Sequence, residues 1–277
     1  MQCISPVWVR STKMSVPCGK CGYCLQNKRL DWAFRLEMEA KYSVGADFVT
    51  LTYSDSNLLY KVHGGVARPT LEKNVFRKFI KDLRYRQACY SSRPLRFYGV
   101  GEYGSQTRRP HYHVMLFNLD RSALFEMHKV WAKGSIDVGS VTPESCAYVC
   151  KYMITREAEL EGVEPPFALM SRRPGIGDAF RVKMFDFYRQ YGKPLVPVGN
   201  GKYRRLARFY KKKFFTSKEL ELWRLQAIFR GDQLEAKALE LQKEVFGDEI
   251  SAFRYLEHQK NWHEVELINS ASKLDKL

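Results

Sequence analysis

The sequence lacks an apolar run of about 18 residues, the length that a membrane-spanning helix requires. Its first ten residues, MQCISPVWVR, lack the basic stretch followed by an apolar stretch that marks a secretory signal peptide. We find no internal repeat, no low-complexity tract and no P-loop. We therefore expect a soluble protein that stays in the compartment that makes it and has no membrane partner. Its 277 residues suffice for one large domain, or one domain with appendages.

Acidic residues are scarce through most of the chain. Residues 1–218 carry 38 basic and 18 acidic side chains, whereas residues 219–277 carry 8 basic and 12 acidic ones. Such an excess of positive charge favours a polyanionic partner, and nucleic acid precedes membrane because no basic amphipathic helix dominates. Solubility alone is the alternative explanation. The aromatic content of 14% also suits the stacking of single-stranded bases.

Hydrophobic periodicity predicts an α+β fold with an antiparallel sheet. Strands are predicted at Asp47–Asp55, at Leu95–Gly104 and from Arg109 to Phe117, the last two as a hairpin. Helices are predicted over 29–42, over 71–86 with Thr70 as N-cap, over 121–132, and over 141–159 with Thr142 as N-cap and Pro143 at the first position. We interpret residues 160–202 as ordered loop and expect helices from Tyr203 to the end. The predicted domains are a cysteine-rich segment (1–27), a central domain (28–202) and a helical tail (203–277).

Two of the six histidines stand one residue apart in RPHYHVMLF, residues 109–117. On a strand, His111 and His113 point to one face and can converge on one ion. A hairpin would bring Glu102 to the same end of the sheet, and two imidazoles with one carboxylate suit Mn²⁺ or Mg²⁺. The alternatives are a structural histidine pair and an exposed loop acid. Gly99–Gly104 matches G-x-G-x-x-G, but we reject a dinucleotide site because a strand follows it instead of a helix.

Two tyrosines lie four residues apart in YVCKY, residues 148–152. On a helix, Tyr148 and Tyr152 share a face, with Lys151 beside them. Two hydroxyls pointing in one direction are candidate nucleophiles, although an isolated pair of this kind is more often packed in a core. Lys151 could stabilise a phosphate or a phenolate, and a solvated helix lysine is the alternative.

Three cysteines follow the spacing C-x2-C-x2-C, at Cys18, Cys21 and Cys24, and Cys3 is the obvious fourth. Four thiolates form a closed, structural Zn²⁺ site. An iron–sulfur cluster is the rival, but such a run requires a further cysteine where this sequence has Lys28. Free cysteines are the remaining alternative. Cys89, Cys146 and Cys150 are expected to be buried packing residues.

Taken together, these motifs resemble the HUH superfamily of single-strand DNA nicking and strand-transfer enzymes. HYH, residues 111–113, is similar to the family's two-histidine motif, and FVTLTY, residues 48–53, to the strand motif before it. PCGKCGYCLQNK, GEYGSQTRRPHYHVMLFN, CAYVCKY and FALMSRRPGIG resemble the replication initiation proteins of gokushovirus-type microviruses, in this order. The resemblance covers roughly residues 1–180 and implies a sheet of about five antiparallel strands flanked by helices.

The resemblance implies a catalytic ion, Mg²⁺ or Mn²⁺, on His111, His113 and Glu102, with Tyr148 or Tyr152 attacking a phosphodiester of single-stranded origin DNA. A 5′-phosphotyrosine and a free 3′-OH would result, and host polymerase and helicase would be partners in the cytoplasm of a bacterial host. A transposase- or relaxase-type strand transferase, and a zinc-containing nucleic-acid-binding protein without catalysis, are the alternatives.

The segment KYRRLARFYKKKFFTSK, residues 202–218, holds eight bases, no acids and five aromatics. It is a candidate DNA-tracking surface, because phosphates and stacked bases would both find partners there. The alternative is a helix with one apolar face and one solvated cationic face. We also expect phosphate contacts near the cleavage site from four arginines. The full set of candidate DNA-binding residues is Arg108, Arg109, Arg172, Arg173, Lys202, Arg204, Arg205, Arg208, Lys211, Lys212 and Lys213.

Overall fold

The computed structural model describes residues 3–12, 14–151, 162–199, 202–248, 250–251 and 253–257. Its strands are β1 Val7–Val9, β2 Met14–Val16, β3 Ala46–Thr52, β4 Tyr60–His63, β5 Val66–Pro69, β6 Arg96–Tyr103, β7 Pro110–Phe117, β8 Ile136–Ser140, β9 Phe167–Met170, β10 Leu195–Gly199 and β11 Lys202–Arg205. Its helices are α1 Gly22–Lys41, α2 Lys73–Tyr90, α3 Arg121–Phe125, α4 Met127–Val130, α5 Pro143–Lys151, α6 Asp178–Tyr191, α7 Arg208–Phe214 and α8 Ser217–Phe246. The chain divides into two compact units, Trp32–Val182 and Met1–Asp31 with Lys183–Leu277.

The unit Trp32–Val182 is built on a five-stranded sheet of order β8-β3-β7-β6-β9. Every neighbouring pair in it is antiparallel. The α+β fold with an antiparallel sheet of about five strands is therefore confirmed, as is the hairpin of β6 and β7. The central strands β6 and β7 are buried along nearly their whole length, as expected for a sheet covered on both faces.

Helix α2 covers one face of this sheet. Its Phe76, Phe79 and Leu83 pack against Tyr112 and Val114 of β7. Gly99 lies directly under the Phe76 ring, where a Cβ atom would come within 2.2 Å of Cζ. The glycines of the G-x-G-x-x-G match therefore serve close packing of a helix on the sheet.

The opposite face of the sheet packs against α5 and the part of α1 that begins at Trp32. Its core includes Leu36 of α1, Val149 of α5 and Met115 of β7. Thr142 Oγ1 accepts a hydrogen bond from the Ser145 backbone N–H, 3.2 Å away, which confirms the predicted N-cap of α5. This helix carries the first of the two candidate tyrosines to the sheet.

Four sequence-based expectations about local structure were wrong. Thr70 does not cap α2, because its hydroxyl contacts Leu71 O and the Glu164 N–H instead. The predicted helix over 121–132 is broken at Glu126 into α3 and α4. Residues 160–202 include β9, α6 and β10, because aromatic and apolar residues between the glycines and prolines supply buried faces there. Cys89 is exposed near the end of α2, whereas Cys146 and Cys150 are buried as expected.

The second unit contains the β1–β2 and β10–β11 hairpins, the residues of α6 from Lys183 on, α7 and α8. In its core the Tyr188 ring stacks on Phe214, with centroids 4.6 Å apart. Helix α8 begins with a capping box between Thr216 and Glu219 and ends before Gly247, whose φ of 76° suits glycine. None of the described helices combines the length and the apolar character needed to cross a membrane.

Candidate active site

The register of the β6–β7 hairpin places the three candidate ligands together. Glu102 is the direct cross-strand partner of His111, and Val100 is the partner of His113. Because side chains alternate along a strand, Glu102, His111 and His113 all face the α1 and α5 side of the sheet, and Tyr112 faces α2. One ligand atom from each of the three lies within 4.8 Å of the other two.

Both imidazoles direct Nε2 at the same carboxylate oxygen. Glu102 Oε1 lies 2.7 Å from His111 Nε2 and 3.1 Å from His113 Nε2. On the far side of each ring, Nδ1 lies 3.2 Å from Arg109 O and 3.0 Å from Thr50 Oγ1, respectively. A carbonyl only accepts, so His111 Nδ1 is the donor, and a neutral ring then presents the Nε2 lone pair to the carboxylate. Lone pairs and a carboxylate converging on one point are the arrangement that a cation requires.

The charge on Glu102 is stabilised by its two histidine partners. Burial raises the pKa of this carboxyl, but hydrogen bonds from His111 and His113 outweigh burial and lower the pKa to about 2. The side chain is therefore ionised at neutral pH although it is buried. Its second oxygen, Oε2, is buried without a hydrogen-bond partner among the described residues. A buried carboxylate with an unsatisfied oxygen beside two imidazoles fits a divalent cation.

Helix α5 brings Tyr148 to the same carboxylate. The Tyr148 hydroxyl donates to Glu102 Oε1 at 3.3 Å, and its ring meets the His113 ring edge-on at 5.3 Å. Lys151 is buried, with Nζ 4.9 Å from the centroid of the Tyr148 ring, so the alternative of a solvated helix lysine is wrong. Tyr152 lies outside the described residues.

Thr50 is a site residue that the sequence analysis missed. It is the cross-strand partner of His113 on β3 and fixes that ring through Nδ1. The motif FVTLTY contains Thr50, but only the register of β3 against β7 connects it with His113. Phe48 lies on the same face and stacks on the His113 ring at 5.4 Å.

We expect Thr50→Val to weaken Mn²⁺ binding by roughly 10-fold to 100-fold, because residues that orient metal-binding histidines have effects of this size. Valine keeps the shape of the side chain but cannot hold the His113 ring. The measurement is calorimetric titration with Mn²⁺. The control is Thr52→Val, since Thr52 Oγ1 bonds Ser135 and no histidine. Equal affinities of the two variants would show that Thr50 does not position the ligand.

The N-terminal cysteines form a second candidate metal centre. The sulfurs of Cys3, Cys18, Cys21 and Cys24 all lie within 4.8 Å of one another. Cys18 and Cys24 Sγ are 3.9 Å apart, and Cys3 and Cys21 Sγ are 3.8 Å apart. A tetrahedral ion with metal–sulfur bonds of about 2.3 Å requires sulfur separations of about 3.8 Å. The predicted pairing of Cys3 with the C-x2-C-x2-C run thus fits one four-coordinate ion.

Two of these thiols have shifted acidities. The backbone N–H groups of Lys20 and Cys21 donate to Cys18 Sγ and lower its pKa to about 6. Burial raises the pKa of Cys24 to about 12. One thiolate is therefore prepared by the backbone, while the other requires a nearby cation in order to ionise at neutral pH.

The basic segment of residues 202–218 divides between strand β11, helix α7 and the start of α8. Three of its five aromatics, Tyr210, Phe214 and Phe215, are buried in their own unit, so stacking of bases on all five is excluded. The cationic side remains, because Lys202, Arg208 and the 212–213 lysine pair are exposed, whereas Arg204 and Lys211 are half-buried. Arg205 forms an ion pair with Asp31 at 3.3 Å. The segment can contact phosphates but offers few rings to bases.

The four arginines expected near the cleavage site separate into two places. Arg108 and Arg109 lie in the β6–β7 loop next to His111, and Arg109 Nη1 pairs with Asp55 Oδ1. Arg172 and Arg173 follow β9 and lie beside Arg96 at the opposite end of β6 from Glu102. Their expected position near the cleavage site is therefore wrong, because β9 runs antiparallel to β6 and ends next to its first residues.

Residues 46–157 match a family model of replication-associated proteins, the ORF2 type. The resemblance to phage replication-associated proteins is confirmed. This matched region includes Glu102, His111, His113, Tyr148 and Lys151, and it excludes the cysteine cluster and the basic segment.

Three curated proteins from phages are similar to the chain. Replication-associated protein ORF2 of Spiroplasma virus 4 is 32% identical over 154 residues, covering 50% of this chain and 47% of that protein. Replication-associated protein VP4 of Bdellovibrio phage phiMH2K is 28% identical over 218 residues, or 70% and 66% of the two chains. Replication-associated protein ORF4 of Chlamydia phage 1 is 26% identical over 164 residues, or 52% and 39%. The chain thus spans between 39% and 66% of the length of these relatives. No solved structure matches it at a significant level.

Proposed function

We propose that this protein initiates rolling-circle replication by cutting and rejoining single-stranded origin DNA through a 5′-phosphotyrosine intermediate. The observation that carries the proposal is the convergence of the Tyr148 hydroxyl and both histidine Nε2 atoms on Glu102 Oε1. A nucleophile and a set of cation ligands in contact are what metal-assisted phosphoryl transfer requires. The phage replication-associated relatives support the biological role.

Glu102, His111 and His113 would hold Mg²⁺ or Mn²⁺, which would offset negative charge on the oxygens of the scissile phosphate. The Tyr148 oxygen attacks phosphorus, and the bond from phosphorus to the 3′-oxygen breaks. The phenol loses its proton to solvent and the 3′-oxygen gains one, so a phosphodiester is exchanged for another and no ATP is consumed. The hydrogen bond to Glu102 directs the phenol, because a carboxylate with a pKa of about 2 is a poor proton acceptor.

Lys151 supports the nucleophile in this scheme. Its ammonium group lies against the face of the Tyr148 ring, where positive charge favours the phenolate over the phenol. Tyr152 would provide the second nucleophile: it cuts the regenerated origin while the new 3′-OH releases the first tyrosine. Two tyrosines allow one protein to end a round of synthesis as well as begin it.

Further properties belong to the same proposal. The cysteine cluster would hold a structural Zn²⁺, since a cluster of several irons would spread its ligand sulfurs beyond the edge of a single-ion tetrahedron. Single-stranded origin DNA, host polymerase and host helicase would be the partners, in the cytoplasm of the bacterial host. A circular origin plasmid as the substrate distinguishes this role from that of a transposase or relaxase.

The test is covalent adduct formation with Mn²⁺ and fluorescent single-stranded oligonucleotides tiled across the replicon, read on a denaturing gel. We expect an adduct in the unmodified protein and none in the double variant Tyr148→Phe/Tyr152→Phe, because no phenol then remains to accept phosphorus. Loss with one single variant alone names the initiating tyrosine. Survival in both single variants shows that the tyrosines are interchangeable.

Tyr98→Phe is the matched control. Tyr98 lies on the same face of the sheet, and its buried hydroxyl has no hydrogen-bond partner among the described residues, so its removal leaves the site intact. An adduct in the double variant would refute the tyrosine mechanism. Absence of any adduct, with DNA binding intact and every oligonucleotide covered, would favour the zinc-containing binding protein without catalysis.

A further inference from the structure

A cavity of about 1050 Å³ opens between α2, the start of β6 and the loop after β9. Six arginines contribute to its lining, and no acidic residue does. They come from three separate segments: Arg77 and Arg84 from α2, Arg93 and Arg96 from the α2–β6 connection and the first position of β6, and Arg172 and Arg173 from the loop after β9.

The positive charge of this cavity is largely uncompensated. Of the six arginines, only Arg96 forms an ion pair within the described part of the chain, with Glu39. Arg84 donates to Ser171 Oγ at 3.5 Å and lies over the Phe97 ring. Burial and the charge of Arg96 lower the pKa of Arg84, so the like charges oppose one another. Gathering the other five guanidinium groups in one cavity is unfavourable unless an anion neutralises them.

The cavity is separate from the Glu102 centre. It lies at the beginning of β6, whereas Glu102 lies six residues further along the strand, a distance of about 20 Å. It also lies on the α2 side of the sheet, where Phe97 and Leu169 face, whereas Glu102 faces α1 and α5. A phosphate held by these arginines is therefore not the one that Tyr148 would attack.

We propose that the arginine cavity binds the phosphodiester backbone of a second stretch of nucleic acid, away from the cleavage centre. The proposal rests on the proposed function only in taking nucleic acid as the partner. Guanidinium groups bind phosphate oxygens in pairs of hydrogen bonds, and three segments bearing arginines can follow successive phosphates of a strand. The lining offers no exposed aromatic ring on which a base could stack, so recognition is independent of sequence.

The test compares two variants that each lose three positive charges. The cavity variant is Arg77→Gln/Arg172→Gln/Arg173→Gln, whose side chains are exposed and form no ion pair in the described structure. The control is Lys78→Gln/Lys81→Gln/Lys129→Gln, three exposed lysines outside the cavity. The probe is a fluorescent 40-nucleotide DNA without an origin, as a single strand and as a duplex, and anisotropy gives Kd against salt.

We expect the cavity variant to bind at least tenfold more weakly than the unmodified protein. Its plot of log K against log salt should be shallower by about 2 for the single strand, since each lost phosphate contact contributes about 0.7. The control should stay within about twofold. A larger loss for one of the two probes identifies whether single strand or duplex occupies the cavity.

Equal losses in the two variants would overturn the proposal, because they would indicate general attraction without a site. Competition by dATP against the 40-nucleotide strand, present in the unmodified protein and absent in the cavity variant, would also overturn it in favour of a nucleotide pocket. Adduct formation at saturating protein is measured alongside. If no protein forms the adduct while only the cavity variant binds weakly, the proposed function fails and the arginine site stands.

Discussion

We expect Glu102→Gln to lose Mn²⁺ binding and to cleave single-stranded DNA about a thousandfold more slowly, which corresponds to roughly 4 kcal/mol of barrier. The amide has nearly the shape of the carboxylate, but it carries no charge to balance a divalent cation. It also exposes only one oxygen where the carboxylate offers two, one of them buried and unsatisfied. Mn²⁺ titration and single-turnover cleavage of an origin oligonucleotide measure the two effects.

The control for this variant is Glu126→Gln. Glu126 is a carboxylate paired with Arg86 and Lys129, and it lies between α3 and α4 away from the site. It should bind Mn²⁺ and cleave like the unmodified protein. Thermal melts of both variants show whether the fold is kept. Normal cleavage by Glu102→Gln, with the fold intact, would mean that the two histidines are packing residues and that cleavage, if present, occurs elsewhere.

The second large effect concerns the cysteine cluster. We expect Cys21→Ser to lose one equivalent of zinc and to become at least a hundredfold more sensitive to trypsin at Arg10 and Lys20, because structural zinc contributes roughly 10 kcal/mol or more to folding of small metal-bound segments. The surrounding hairpin has little core of its own, since Val7 and Trp8 are 51% and 61% exposed. Elemental analysis and timed proteolysis are the measurements.

Cys89→Ser is the matched control, because Cys89 is an exposed cysteine outside the cluster. It should keep its zinc and its resistance to trypsin. A brown protein with iron and sulfide in place of zinc would contradict the zinc assignment but not the four-cysteine site. Unchanged proteolysis of Cys21→Ser would contradict both.

The metal-ligand geometry could be predicted from sequence because it depends on short-range rules. Residues two apart on a strand share a face, and a hairpin joins neighbouring strands, so Glu102, His111 and His113 followed from local patterns alone. The same holds for Thr142 and Pro143 at the start of α5. The roles of these residues remain predictions.

Features that depend on distant segments could not be predicted in this way. Thr50 reaches His113 only through the pairing of strands 63 residues apart. Tyr210 and Phe214 resembled a stacking surface, because a sequence does not reveal that Tyr188 covers them. Arg172 and Arg77 share a cavity because β9 pairs with β6 at the sheet edge, a partner choice that periodicity leaves open.

The direct pairing of Glu102 with His111 limits how this protein can change during evolution. Inserting or deleting one residue between Glu102 and Tyr103, or between His111 and Tyr112, would rotate the outer part of a strand by half a turn and separate acid from base. The turn at Ser105–Thr107 carries no such restriction, since it lies outside both strands. Length variation among descendants should therefore accumulate at this tip, and the hairpin could be transplanted into another antiparallel scaffold as one piece.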